Sequence, residues 1–245
     1  MFAHREVGFL CALCAPFLSE LCDKGFFRDT LGLQSEPALR IFIALDIDDA
    51  IRTRISSFLD GVRNFAPDAG WVRPESLHVT LKFVGEKPAE SVEEIKHALS
   101  RIRATPFELS FRGYGFFPTP KAARVFWVGI EADAQLTKLA TTIEDATATL
   151  GIPEEDHAFS PHLTLARRRG GSGAPRPDKS DAANRAFEHL QQKLAAMPAP
   201  DFGIMTAREF FLYQSQLSRS GTRYTKLERF ALHEDDPPPA GPHNP

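Results

Sequence analysis

Apolar residues between Leu39 and Leu232 follow two alternating rhythms, one with the period of a strand and one with that of a helix. Residues 39–47 (LRIFIALDI) form a short β-rich run bounded by acidic positions, which predicts a strand. Residues 49–65 then place Ile51, Ile55, Phe58, Leu59 and Val62 on one helical face. A second strand is expected within 71–85 (WVRPESLHVTLKFVG), ended by Gly85. A helix follows from about Pro88, where proline suits a first turn, with Val92, Ile95, Leu99 and Ile102 inward. Residues 107–117 (FELSFRGYGFF) predict a strand kinked by its glycines, and Pro118-Thr119-Pro120 turns the chain.

The same order then returns. Residues 124–131 (RVFWVGIE) predict a strand, and 133–150 a helix whose stripe carries Leu136, Leu139, Ile143 and Leu150. Residues 159–167 (FSPHLTLAR) read as a strand, 181–197 as a helix and 202–217 as one or two strands, with a hairpin at 218–222 leading into a strand over 223–232. Phe42 and Phe126 sit in the first strand of each half, 84 residues apart; His78 and His162 sit in the second strand of each, also 84 apart. The shared offset predicts two copies of a strand–helix–strand–helix–strand unit. The expected fold class is α+β: a bilobal duplicated fold with two helix-backed, mostly antiparallel sheets facing a central cleft in pseudo-twofold symmetry.

Composition narrows the function classes. A hydrophobic fraction of 42% and a charged fraction of 25% are those of a soluble globular protein. The formal net charge of −3 supplies no global positive field, so a polyanion has to be held by a local patch. All three cysteines, Cys11, Cys14 and Cys22, lie in the first 22 residues, which excludes a disulfide framework or a thiol nucleophile in the main body. The apolar run over 7–18 is broken by Pro16 and falls short of the ~20 residues a membrane helix needs. Glu6 and the want of a small-x-small cleavage site argue against a signal peptide. Residues 1–38 are therefore read as a poorly ordered extension, 39–232 as the duplicated domain and 233–245, rich in proline, as a disordered tail. A cytoplasmic monomer without membrane contact is expected.

Each half holds one His-x-Thr on a predicted strand: His78-Val79-Thr80 and His162-Leu163-Thr164. Residues i and i+2 of a strand share a face, so each histidine emerges beside its threonine while Val79 and Leu163 turn into apolar packing. A lone strand histidine is ordinarily a surface or a satisfied core residue. Two at matching places in a duplicated unit are required by neither packing nor solubility. Imidazole titrates near neutrality, so one histidine can hold a proton while the other lacks it, the acid–base pair that phosphodiester chemistry uses. The threonine hydroxyls can donate to non-bridging phosphate oxygens. Two histidines fall short of a zinc set and no carboxylate or thiolate joins them, so no metal and no cofactor is expected. Strand alternation also puts Lys82 on the face of His78 and Thr80. Arg167, followed by Arg168 and Arg169, can hold phosphate or stack on a base, and Phe159 can stack on a nucleobase or pack in the core.

The segments WVRPESLHVTLKFVG and FSPHLTLAR resemble the paired motifs of the 2H phosphoesterase superfamily, most closely its RNA 2′,3′-cyclic phosphodiesterase branch, also called 2′–5′ RNA ligases. RIFIALDI, GYGFFPTPKAARVFWVGI and FFLYQSQLSRSGTRYTKLERFAL resemble the same branch, and the likeness spans about residues 39–232. It implies hydrolysis of a terminal 2′,3′-cyclic phosphate, on RNA or a small cyclic nucleotide, to a 2′-phosphate. By the resemblance, His78 is the proton donor to the 3′ oxygen, His162 the acceptor that activates water, and Thr80 and Thr164 the phosphate ligands. Three alternatives remain at this stage: 2′–5′ ligation by the same four residues, a non-catalytic module that binds RNA ends, and a metal-dependent phosphohydrolase.

Overall fold

The computed structural model describes residues 38–168, 187–218 and 221–233. The cysteine-containing segment 1–37, Arg169 and the tail from 234 lie outside the described residues.

Strand β1 (Leu39–Asp46) leads into α1 (Asp49–Val62), which starts where the Asp48 carboxylate accepts the Ile51 amide at 2.9 Å. Ile51, Ile55, Leu59 and Val62 of α1 are buried, as their spacing predicts. Next come β2 (Ala69–Trp71), a 3₁₀ turn at Pro74–Ser76, β3 (His78–Lys87) and α2 (Ala89–Ser100). Strand β4 (Phe107–Phe117) crosses to the second half: β5 (Val125–Ala132), α3 (Ala134–Ala148, capped by Asp133), β6 (His162–Arg168) and α4 (Glu188–Ala195). The stretch left as one or two strands is two, β7 (Asp201–Ala207) and β8 (Glu209–Ser218), and β9 (Gly221–Ala231) completes the hairpin. Leu150, expected on the α3 stripe, lies past the helix end and is 38% exposed. The strand expected to stop at Gly85 continues through it, because glycine accepts the φ of +86° at which β3 takes up an extra residue.

All pairings are antiparallel, in the order β7-β4-β5-β6-β3-β1-β8-β9, with β2 added beside β6. The order is a palindrome about the β6–β3 junction, which consists of one paired position, Val79 opposite Leu163. The four-stranded halves exchange strands: β4 follows the first repeat yet pairs in the second half, and β8 with β9 follows the second repeat yet pairs in the first. One sheet face carries Ile41, Ile43, Leu45, Val79, Phe126, Val128 and Leu163, all fully buried in one core with the apolar stripes of α1 and α3. The other face of the first half carries a smaller cluster of Phe42, Ala44, Phe211 and Tyr213.

Register corrects two expectations. Asp46, Ala44 and Phe42 of β1 oppose His78, Thr80 and Phe83, whereas Gly129, Trp127 and Val125 of β5 oppose His162, Thr164 and Arg167. First-strand residues therefore correspond at an offset of 83, and the counterpart of Phe42 is Val125. Phe126 opposes Ala166 and lies in the core, on the other face from Phe42, because a one-residue slip inverts a strand. The histidine offset of 84 holds.

The second correction concerns Lys82. Thr80 opposes Ala44 and Lys82 opposes Ile43, so Leu81 is an extra residue, a β-bulge that reverses the alternation. Lys82 consequently points to the core face, where its side chain is 0% exposed and its ammonium donates to Glu144 Oε1 of α3 at 2.6 Å and to the Pro153 carbonyl at 3.0 Å. Phe83, 55% exposed, takes the place by the histidine face that plain alternation gave to Lys82. Leu165 makes the same bulge in β6, and it brings Arg167 onto the face of His162 and Thr164.

Candidate active site

Both histidines open their strands, and each is preceded by a carbonyl two residues back that fixes its ring. His78 Nδ1 lies 2.8 Å from the Ser76 carbonyl, and His162 Nδ1 lies 2.8 Å from the Ser160 carbonyl. A carbonyl oxygen only accepts, so Nδ1 carries the proton in each ring and Nε2 is the nitrogen left to exchange protons. Because β3 and β6 meet only at Val79 and Leu163, His78-Thr80 and His162-Thr164 flank that junction as a symmetric pair. The two imidazoles are close enough for the charge of His162 to act on His78.

Their surroundings differ. The His78 ring packs on Phe42 at 4.8 Å and against the edge of Tyr224 at 5.0 Å, with Tyr213 at 6.1 Å. Burial drives its pKa down to about 4, against the Ser76 hydrogen bond and the Asp46 carboxylate, which favour the charged form. His162 meets Phe117 at 5.1 Å and Trp127 at 6.3 Å, and burial, followed by the charge of Arg167, also lowers its pKa. Trp127 reaches this position by lying over Gly115, where a Cβ would fall 2.1 Å from the indole. Burial raises the Tyr213 and Tyr224 hydroxyls, which stay neutral.

Arg167 is exposed on the face of His162 and Thr164, and its charge acts on His78, His162 and Tyr224. Phe159 is half-buried: one side packs on the core, and the other lines a cavity of about 330 Å³. Thr80, Phe83, Glu144, Ser160 and His162 line the same cavity, so it opens directly beside the paired motifs. At the related place in the other half β2 pairs with β6, from Ala69 opposite Arg168 to Trp71 opposite Ala166. Among the described residues no three His, Cys, Asp or Glu side chains are grouped to hold a metal ion, and no helix is long and apolar enough to cross a membrane.

Sequence reasoning missed the residues around the two rings: Phe42, Asp46, Phe83, Phe117, Trp127, Tyr213 and Tyr224. Alternation along β1 from His78's partner would have marked Phe42, Ala44 and Asp46 as one face. Tyr213 and Tyr224 come from a hairpin more than a hundred residues downstream and carried no local signal.

The LigT-like phosphoesterase family matches twice, over residues 45–127 and 128–224, one match in each half of the duplication. An RNA 2′,3′-cyclic phosphodiesterase of Archaeoglobus fulgidus is 33% identical over 192 residues, covering 78% of this chain and 99% of that protein. The Escherichia coli K12 protein of that name is also 33% identical, over 201 residues, covering 81% of this chain and 98% of the relative. The crystal structure of E. coli LigT complexed with 3′-AMP superposes with a TM-score of 0.63 at 30% identity, over 80% of this chain and 99% of that one. With its two matched copies, its palindromic sheet and its phosphodiesterase relatives, the chain belongs to the LigT-like phosphoesterase family and is a phosphoesterase.

Proposed function

We propose that the protein hydrolyses a terminal 2′,3′-cyclic phosphate of RNA, or of a small cyclic nucleotide, to a 2′-phosphate, with His78 as acid and His162 as base. The observation that carries this reading is the pair of histidines across one junction, each with Nδ1 tied to a carbonyl and Nε2 free. The names of the relatives and the E. coli LigT complex with 3′-AMP support the substrate class. Water loses a proton to His162 Nε2 and attacks phosphorus, and the P–O3′ bond breaks on the opposite side as the 3′ oxygen takes the His78 proton. Thr80, Thr164 and the Arg167 guanidinium hold the non-bridging oxygens, where charge stays negative throughout. The cavity beside Thr80 and His162 gives the nucleoside room on one side of the phosphate. Lys82 also lines that cavity, but its ammonium is engaged by Glu144 and the Pro153 carbonyl and is assigned no phosphate oxygen.

Phosphorus NMR of the product from a short RNA ending in 2′,3′-cyclic phosphate tests the proposal. A 2′-phosphate is expected, at the same rate with and without excess EDTA. A 3′-phosphate would mean the substrate lies reversed, and a rate lost to chelator and restored by metal would replace the mechanism.

The pH dependence follows from the two lowered histidines. kcat/KM reports the free enzyme, in which one imidazole must be charged and the other neutral. A lowered pKa means that the charge is lost sooner as pH rises, so both limbs fall below 6.5, the lower one near the His78 value of about 4. kcat/KM is therefore expected to peak in the acid range and to decline from pH 6.5 to 8. The bound anion stabilises imidazolium, so the kcat profile shifts upward. A kcat/KM that rises between pH 6.5 and 8 would contradict the assignment.

A further inference from the structure

We propose that Asp46 is a positioning residue that directs the proton to His78 rather than His162, and so makes a duplicated site asymmetric. The inference rests on the acid–base reading above, and its test does not require turnover.

The two copies share the Nδ1 carbonyl, the threonine and the bulge. They differ in the residue opposite each histidine on the neighbouring strand: Asp46 opposite His78, Gly129 opposite His162. The second position cannot be made to match, because a Cβ on Gly129 would stand 2.6 Å from the Arg112 carbonyl oxygen. A carboxylate beside the histidine is thus available to one copy only.

Asp46 is held ionised. Burial opposes its charge, but Lys226 Nζ donates to Oδ2 at 2.6 Å and Arg52 Nη2 to Oδ1 at 2.8 Å, and together they lower its pKa. Arg52 also donates to the Ile47 carbonyl at 2.8 Å and to that of Pro74, the first residue of the turn ending at Ser76. The carboxylate is therefore part of one connected set running from Lys226 through Arg52 to the start of the turn whose last residue, Ser76, fixes the His78 ring.

Other groups face His78 from every side. Arg167 and His162 on β6 oppose its charge, Tyr213 on β8 and Tyr224 on β9 are neutral, and Asp46 on β1 favours the charge. At His162 burial and Arg167 oppose the charge, the Ser160 carbonyl favours it, and no carboxylate acts among the described residues. Burial keeps both rings neutral in the free protein near pH 7, His78 being the more deeply buried, so the proton is taken up with the anionic phosphate, and Asp46 is the charge that offsets burial at His78 and has no counterpart at His162.

The test is an NMR titration of both imidazoles in the full chain, alone and with saturating sulfate, a dianion that does not titrate in this range. Asp46→Asn leaves Arg52 and Lys226 unbalanced near His78. Its midpoint is expected to fall by about half a pH unit or more, on the scale of a neighbouring charge, with His162 unmoved. Lys226→Met, at a side chain 45% exposed, removes one of the two cations and should move His78 the opposite way. The kcat of Asp46→Asn relative to the unsubstituted protein should fall as pH rises, reaching a loss of about threefold or more on the alkaline side, since half a unit is about threefold in charge state. A purely structural defect would lower the rate equally at every pH. Equal shifts at both rings, or none in either variant, would overturn the proposal; should Asp46→Asn not fold, Lys226→Met decides alone. Cyclic phosphate left uncleaved while His78 shifts as expected would instead refute the substrate reading and leave the asymmetry standing.

Discussion

Replacing His78 or His162 with alanine will lower turnover by about 10²–10⁴ in each case, the scale of losing a positioned acid or base. Neither neighbour can take over. At His78 the nearby hydroxyls are Tyr213 and Tyr224, whose raised pKa values make them poor acids at neutral pH, and the Asp46 carboxylate is engaged by Arg52 and Lys226. At His162 the neighbours Phe117 and Trp127 carry no titrating group. The double variant should be scarcely worse than either single one, because groups that act as a unit do not add. Binding of inorganic phosphate, through Thr80, Thr164 and Arg167, should survive in both single variants and serves as the control for folding. Full turnover in either single variant would remove the paired-histidine mechanism.

The elements were legible and their register was not. Periodicity sufficed for α1, α2, α3 and β5, because an apolar stripe on a helix and an alternating strand each need one covered face, while β1 was legible as a β-rich apolar run and is covered on both faces. The paired His-x-Thr was legible for the same reason: two residues on either side of one apolar residue share a face whatever happens beyond them. Beyond Thr80 and Thr164 that rule failed. A bulge at Leu81 and another at Leu165 are backbone events, and neither leucine differs from its neighbours in any way a sequence displays. Hence Lys82 was expected at the phosphate and lies under the sheet, while Phe83 stands by the histidines. The matching of Phe42 with Phe126 failed similarly, since aromatic identity outweighed a one-residue difference that only pairing reveals. The unequal partners Asp46 and Gly129 follow from that register, so the asymmetry of the site was hidden until the strands were aligned.

Glu144→Ala is expected to destabilise the protein by about 3 kcal/mol, at the low end of the cost of breaking a buried ion pair because one partner reaches solvent. The Lys82 side chain is 0% exposed and that of Glu144 22%, with Nζ and Oε1 2.6 Å apart. Without the carboxylate, the ammonium keeps only the Pro153 carbonyl at 3.0 Å. Glu144 Oε1 also accepts the Glu155 amide at 2.8 Å, so the pair fastens the chain leading to Ser160, whose carbonyl orients His162. In a domain of this size the loss corresponds to a fall in Tm on the order of 10 °C. The double variant Lys82→Met/Glu144→Gln separates charge from packing: the methionine fills the lysine's apolar path, and the glutamine keeps an acceptor for Glu155. Removing both charges abolishes the desolvation cost together with the attraction, so the double variant should recover most of the stability. Chemical denaturation of both proteins checks this. A single variant within about 0.5 kcal/mol of the unsubstituted protein, the scale of an ordinary surface change, would show that Lys82 finds water or another partner. A double variant no more stable than the single one would show that the pair contributes by attraction and not by mutual neutralisation.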